Sequence, residues 1–450
     1  MKILFSCLLI TVIFSVTTSA AEIRLSLEQA LALAEKNDLE LAAANLDVES
    51  GDATVREAIS TALPRLTVTG TLMRHMVQPK MYLPDPLFEG GGYITISPPN
   101  SISTQVSLQQ PIWLAGKVGM ALKAAKMYRQ IARNSLDANR ANLKSDIIRE
   151  YFGYTLASKV VEITRETHEQ ANRHAATVKR MFEVGMASEF DLLRAEVEVR
   201  NLEPKIARAE KNVELARIGF CNRLGLNMED EIILTDELSP DIQAVPPLGY
   251  SAALDAVHEV RPEFKVIDLQ EKLSRINVKA EGRNLLWPNF TFGLNYSRDA
   301  QGNKYKDLVD MAWPETFTWL INAQIPLFDG FATPAKVQKA RIELRRIQYQ
   351  KQQFEQAIQL EVSNTLSELK RVQDQMNSLK ASNELAEKAL DIAETRFAQG
   401  MSTELEVLDA RLAQRSASLA YLQGMYDLMV ANAEYARVVK NDNILSGVGK

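Results

Sequence analysis

A helix-tip motif that occurs twice constrains this chain more than any other feature. The first copy covers residues 182–195 (FEVGMASEFDLLRA) and the second covers residues 397–410 (FAQGMSTELEVLDA). Each copy contains a glycine, Gly185 or Gly400, that can take the left-handed conformation with which many helices end. A repeat this long predicts one body built from two similar halves, in place of several unrelated domains.

The residues after each glycine predict the start of a new helix. Ser188 and Thr403 are suited to be N-caps, and Asp191 and Glu406 follow three residues later to complete a capping box. Each copy is therefore expected to be a tight tip between two helices. The two tips are predicted at residues 183–188 and 398–403.

The N-terminus has the pattern of a secretory signal peptide. A short basic start at Met1 and Lys2 precedes an apolar run over residues 3–16, and small residues follow at 18–21. The pattern predicts that residues 1–21 are removed on export. Cys221 would then be the one remaining cysteine, which excludes a disulfide framework, and we expect its thiol to be buried.

Composition and motifs argue against two function classes. The formal net charge of -5 gives no basic excess for binding nucleic acid. No phosphate-binding glycine loop or nucleophile motif appears, and the four histidines, His75, His168, His174 and His258, have no metal-ligand spacing. We therefore predict a protein that is not an enzyme and has neither a cofactor nor a metal site.

Helical patterns dominate both halves of the chain. The first repeat is expected over residues 22–226, beginning with a helix that the capping box at Ser26 opens and that runs to about Thr61. A second, long helix is predicted over residues 117–182 and a return helix follows the tip. Ile147, Tyr154 and Val161 are seven residues apart, which is typical of a coiled-coil seam.

The second repeat is expected over residues 250–440 and has the same plan. A helix ends before Pro288, a long helix covers residues 335–397, and a return helix follows the tip. An acidic, proline-containing stretch at 227–249 is predicted to link the repeats. Residues 441–450 are expected to be a C-terminal tail.

Each repeat also contains a predicted strand hairpin, at residues 65–112 and 289–327. Apolar and polar residues alternate there with the period of two that strands show, and Leu320 is the one breach in the last strand. Exposed loops are predicted at 78–100 and 299–314. Each hairpin would thus have one apolar face and one polar face.

No apolar run of about 20 residues, the length that a spanning helix needs, follows the signal segment. A membrane crossing would then require a closed barrel. Four strands cannot close one, because the smallest membrane barrels have about eight. Three copies of the chain would supply twelve strands and close the barrel without free edges.

The mature chain resembles the TolC family of outer-membrane efflux and secretion channels over nearly its whole length. The resemblance lies in the two tips with the residues after them (Asp191-Leu192-Leu193 and Glu406-Val407-Leu408), and in prolines where strands begin and end: Pro64, Pro111, Pro288 and Pro326.

This resemblance implies a homotrimer with a twelve-stranded β-barrel in outer-membrane lipid and a coiled-coil α-barrel in the periplasm of a Gram-negative-type cell. It also implies a periplasmic adaptor (membrane fusion) protein and an inner-membrane transporter as partners in a tripartite efflux or type I secretion system. The family's lipidated branch carries Cys at the mature N-terminus, whereas this chain has Ala there. A lipid anchor is not expected.

A soluble periplasmic coiled-coil scaffold is the alternative. It would explain the helices, but it would leave the aromatic faces of the strands, such as Phe290, Phe317 and Trp319, without a role. The resemblance does not choose among drugs, metals, metabolites and polypeptides as cargo, since their exporters share this architecture.

The resemblance also assigns roles to residues at the tips. The adaptor-docking edge would comprise Gly185, Met186, Ser188, Gly400, Met401 and Thr403. The periplasmic gate would comprise Asp191, Glu406 and Asp409, the last two lying three residues apart on one helix face. Ser402 stands where the family can have an arginine that pairs across helices with the acid at Asp191, so another contact must hold this chain's closed state.

Overall fold

The computed structural model describes residues 22–85, 92–238, 246–304, 306 and 313–439. The predicted signal peptide and C-terminal tail lie outside them. The helices are α1 (Leu27–Asn37), α2 (Leu39–Ser60), α3 (Lys117–Glu183), α4 (Glu189–Leu224), α5 (Tyr250–Val260), α6 (Pro262–Gly282), α7 (Ala332–Ala398) and α8 (Glu404–Val439). The strands are β1 (Glu22–Leu25), β2 (Arg65–Arg74), β3 (Lys80–Leu83), β4 (Gly92–Thr95), β5 (Asn100–Leu114), β6 (Glu231–Leu234), β7 (Asn289–Gly302) and β8 (Glu315–Gln324).

Contacts within the chain define two compact units, and each unit takes segments from both halves of the sequence. Unit 1 takes its described residues from Met1–Ala43, Asp137–Arg261 and Ala357–Lys450. Unit 2 takes them from Ala44–Leu136 and Pro262–Gln356. These units and the predicted repeats are therefore different divisions of the chain.

Unit 2 contains a four-stranded antiparallel sheet in the order β2-β5-β7-β8. Its register places the apolar residues of the four strands in rows, because directly paired residues point to the same face. One row is Leu66, Leu108, Leu294 and Trp319, and the next is Val68, Val106, Tyr296 and Phe317. The alternation in the sequence thus produces one continuous apolar face.

Leu320, the one residue that breaks the apolar–polar alternation of the last strand, lies on the polar face and pairs with Gly293. A Cβ atom added to Gly293 would lie 3.2 Å from Cγ of Leu320. The leucine side chain therefore fills the space that the glycine leaves open, which explains an apolar residue at a polar position.

Several predicted boundaries differ from the structure, among them that of the helix before Pro288, which is divided into α5 and α6 at Arg261. The predicted loop 78–100 contains β3 and β4, which pair antiparallel, with Tyr82 opposite Tyr93. β7 runs on to Gly302, so part of the predicted loop 299–314 is strand. The first helix is interrupted at Asp38, whose side chain accepts a 2.7 Å hydrogen bond from the backbone N–H of Leu41 and so begins α2 as a separate helix.

In unit 1, the predicted linker 227–249 supplies β6, which pairs in parallel with β1. Two tyrosines of α3 hold this pair in place: the Tyr151 hydroxyl donates to the Leu25 carbonyl over 3.1 Å, and the Tyr154 hydroxyl donates to the Ile232 carbonyl over 2.9 Å. Tyr154 is buried together with Ile147 and Val161, as the seven-residue spacing predicts, and Cys221 is buried as expected.

No helix in the described part of the chain combines the length and the apolar character needed to cross a membrane.

Candidate tip and gate site

Two backbone hydrogen bonds end α3 at the first tip. The backbone N–H of Met186 donates to the carbonyl of Met181 over 2.8 Å, and that of Gly185 donates to Phe182 over 3.0 Å. Gly185 has φ +76, which a side chain would strain. This is the Schellman arrangement, and it satisfies carbonyls that the end of a helix leaves free.

Ser188 and Asp191 then open α4 with a complete capping box. The N–H of Asp191 donates to the Ser188 hydroxyl oxygen over 3.1 Å, and the N–H of Ser188 donates to the Asp191 carboxylate over 3.1 Å. The Ser188 hydroxyl also donates to that carboxylate over 2.6 Å. The carboxylate of Asp191, a predicted gate residue, is therefore engaged by its own cap.

The second tip repeats the helix end with nearly the same distances. The N–H of Met401 donates to Arg396 over 2.9 Å, and that of Gly400, at φ +72, donates to Phe397 over 2.9 Å. The cap that follows is looser: the N–H of Glu406 lies 3.4 Å from the Thr403 hydroxyl oxygen.

Ser402 supplies the shorter contact at this tip. Its hydroxyl donates to the Glu406 carboxylate over 2.6 Å. This hydrogen bond is the largest cause that lowers the pKa of Glu406 below its ordinary value. Glu406 and Asp409 are both exposed, whereas Val407 between them is buried. The two acids therefore point away from the packed side of α8.

Both tips present methionines to solvent, with Met186 exposed to 72% and Met401 to 59%. Exposed apolar residues follow on the helix after each tip at spacings of three, four or seven residues, which places those of one helix on one face. On α4 they are Phe190, Leu193 and Val197, and on α8 they are Leu405 and Leu412.

The sequence patterns do not predict one contact near the tips. Nε2 of His174, on α3, lies 2.5 Å from a carboxylate oxygen of Glu404, the first residue of α8. Their side chains are only 9% and 5% exposed. The spacing of His174 from buried Ala171 and Val178 matches an apolar stripe, and this was the available clue that the imidazole lies on the packed face of α3.

Within the described residues, no group of three or more His, Cys, Asp or Glu side chains could hold a metal ion.

Comparison with known proteins is consistent with this architecture. The cobalt-zinc-cadmium resistance protein CzcC of Cupriavidus metallidurans is 23% identical over 410 residues, which cover 88% of this chain and 86% of that protein. The probable efflux pump outer membrane protein TtgC of Pseudomonas putida is 22% identical over 395 residues, or 87% of this chain and 77% of that protein.

Solved structures share the fold over almost the whole chain. A crystal structure of CusC has a TM-score of 0.76 at 18% identity and covers 92% of this chain and 91% of its own. The outer membrane protein VceC of Vibrio cholerae has a TM-score of 0.73 at 14% identity and covers 92% and 95%. The predicted fold class, long helices with a smaller β portion, is thereby confirmed. The sequence pattern of one family, described as outer membrane efflux protein, matches residues 30–225 and 253–437, and the chain belongs to that family.

Proposed function

We propose that three copies of this chain form an outer-membrane exit duct. The observation that carries the proposal is the pair of open edges in the four-stranded sheet. β2 and β8 lie at the two edges, and all ten residues of each strand are exposed. Exposed edges this long invite pairing with another chain.

The direction of the strands suits closure by copies of the same chain. All neighbours in the sheet run antiparallel, so β8 of one copy can pair antiparallel with β2 of the next. Four strands from each of three copies give a barrel of twelve, enough for a water-filled lumen. The apolar face of the sheet would then face lipid and the polar face would line the lumen.

Aromatic side chains near the ends of the strands support contact with outer-membrane lipid. Phe328 and Phe331, between β8 and α7, are each 72% exposed, and their rings meet edge to face with centroids 5.4 Å apart. Trp287, just before β7, is 42% exposed and is covered on one side by the Arg283 guanidinium, 4.8 Å from its ring. Aromatic residues are enriched where membrane barrels meet the polar interface.

The duct would connect through its tips to a periplasmic adaptor and, through the adaptor, to an inner-membrane transporter. The exposed methionines and the helix caps at both tips support this docking role, as does the family. Efflux is named for TtgC and metal resistance for CzcC. Export across the inner membrane would use the predicted signal peptide, with cleavage near residue 21.

The gate is proposed at Glu406 and Asp409. In a trimer, two acids from each copy would surround the lumen above the tips. Two unit charges about 6 Å apart repel by roughly 3 kcal/mol at an effective dielectric of 20, so such a ring favours cations in the lumen.

Two measurements on the full-length protein test the duct. Detergent-extracted protein should migrate as a trimer that heating converts to the monomer. Tyr82→Cys in β3 and Asn303→Cys after β7 should react with an impermeant thiol reagent on whole cells, because the loops at 78–100 and 299–314 would lie at the cell surface. Met228→Cys, an exposed position in unit 1, serves as the control that reacts only after lysis.

Monomeric, membrane-free protein would instead favour the soluble scaffold. Labelling of the two loop cysteines only after lysis would refute the orientation.

A further inference from the structure

We propose that the hydrogen bond between His174 and Glu404 is the latch that joins the two helical hairpins of each chain in the closed channel. The inference rests on the proposed function, since only a gated duct needs a latch. The first hairpin is α3 with α4, and the second hairpin is α7 with α8.

The residues that the family resemblance suggests for a latch are engaged locally here. The carboxylate of Asp191 accepts two hydrogen bonds from Ser188 within the first cap. Ser402 donates to Glu406 four residues later in its own chain segment. Neither contact links one hairpin to the other.

His174 and Glu404 do link the hairpins. The imidazole belongs to α3, and the carboxylate begins α8, so the 2.5 Å contact joins residues 230 positions apart. The same imidazole also lies against Phe397 at the end of α7, with ring centroids 5.2 Å apart. One side chain of the first hairpin thus contacts both helices of the second hairpin next to its tip.

Because the two side chains are buried, breaking the hydrogen bond between them costs free energy. Both side chains are more than nine-tenths buried, and Val178 and Val407, one helical turn beyond each, are fully buried. A polar group that loses its partner in such surroundings is left without water to replace it. As a latch, the pair would give the hairpins two arrangements near the tips: one with the hydrogen bond made, as in this structure, and one with the two side chains separated and hydrated.

Separating the pair should shift the channel toward its open state. A hydrogen bond between a carboxylate and an imidazole contributes enough that its loss should raise the open-to-closed ratio by about tenfold. Conductance of the purified full-length protein in planar lipid bilayers measures that ratio. We expect His174→Ala and Glu404→Ala each to raise the open probability, and the exchange of both residues, His174→Glu with Glu404→His, to restore part of the closed state.

Arg173→Ala is the matched control. Arg173 is the neighbour of His174 on α3 and pairs with Glu169, but both side chains are about 70% exposed, at 71% and 68%. We expect its conductance to equal that of the unchanged protein. If His174→Ala and Glu404→Ala also conduct like the unchanged protein, the latch is refuted while the duct stands. If neither the unchanged protein nor the variants conduct, the proposed function itself fails.

A reversible cross-link covers the case in which the single variants do not fold. His174→Cys and Glu404→Cys are combined in a Cys221→Ser background and joined by a short bifunctional methanethiosulfonate. The latch predicts that the cross-linked channel stays closed until a reductant is added. Equal conductance with and without the cross-link would overturn it.

Discussion

Ser402 donates a 2.6 Å hydrogen bond to the carboxylate of Glu406, one turn away at the start of α8. This contact and the charge of Arg396 lower the pKa of Glu406 from its ordinary value of 4.5, and Thr403 adds a weaker contribution. The Ser402 hydroxyl therefore stabilises the charged form of the Glu406 carboxylate. Glu406 is one of the two acids of the proposed gate.

The first prediction concerns the pH dependence of ion selectivity. A lowered pKa means that Glu406 keeps its charge as the pH falls through 4.5 and loses it only as the pH falls through the lowered value. Ser402→Ala should move the loss of cation selectivity to higher pH. Reversal potentials measured between about pH 3 and about pH 6 give the midpoint.

Ser50→Ala, an exposed serine of α2, is the control and should leave the midpoint unchanged. An unchanged midpoint in Ser402→Ala would show that the Ser402 hydrogen bond does not set the pH at which the selectivity is lost.

The second prediction tests the proposed acidic ring directly. The double change Glu406→Ala with Asp409→Ala removes both exposed carboxylates, so cation selectivity and block by multivalent cations should weaken while the trimer persists. The matched control, Glu49→Ala with Glu57→Ala, removes two exposed acids of α2 and has the same net charge. Equal selectivity and block in the two double variants would place the ring elsewhere.

The sequence predicts the sheet and the tips well because their causes are local. Alternation over ten residues places Leu66 and Trp319 on one face of the sheet, and the glycine and serine of the first tip specify a helix end and a helix start within six residues. Such patterns need no knowledge of distant neighbours.

Prediction from the sequence fails where contacts with residues distant in the chain determine the structure. β3 and β4 lie in a segment rich in proline and glycine, and they form through pairing that includes the contact of Tyr82 with Tyr93, whose centroids are 5.3 Å apart. The pairing of His174 with Glu404 likewise requires that α3 packs on α8, which no local pattern specifies.

The third prediction concerns adaptor docking. Met186→Asp with Met401→Asp places charges at the exposed edge of both tips, so trimer formation should be unaffected and export by the complete system should be lost, because an apolar docking surface tolerates no unpaired charge. Export is measured as resistance of cells or as release of the transporter's cargo.

Met228→Asp is the control, since this methionine is 51% exposed but lies outside both tips. Normal export with both tip methionines changed would refute their docking role.

The last prediction concerns the backbone conformation of Phe331, which lies between β8 and α7. Phe331 has φ +65, a left-handed conformation that costs a residue with a side chain about 1 kcal/mol or more relative to glycine. Phe331→Gly and Phe331→Ala both remove the ring, but the alanine variant keeps the Cβ atom that causes this strain. Phe331→Gly should therefore be the more stable of the two by about 1 kcal/mol in thermal unfolding of the detergent-solubilised protein.

Lys339, an exposed residue within α7, provides the opposite control: there Lys339→Ala should be more stable than Lys339→Gly, because glycine weakens a helix interior. If the alanine variant is the more stable one at both positions, the backbone at residue 331 relaxes once the ring is removed.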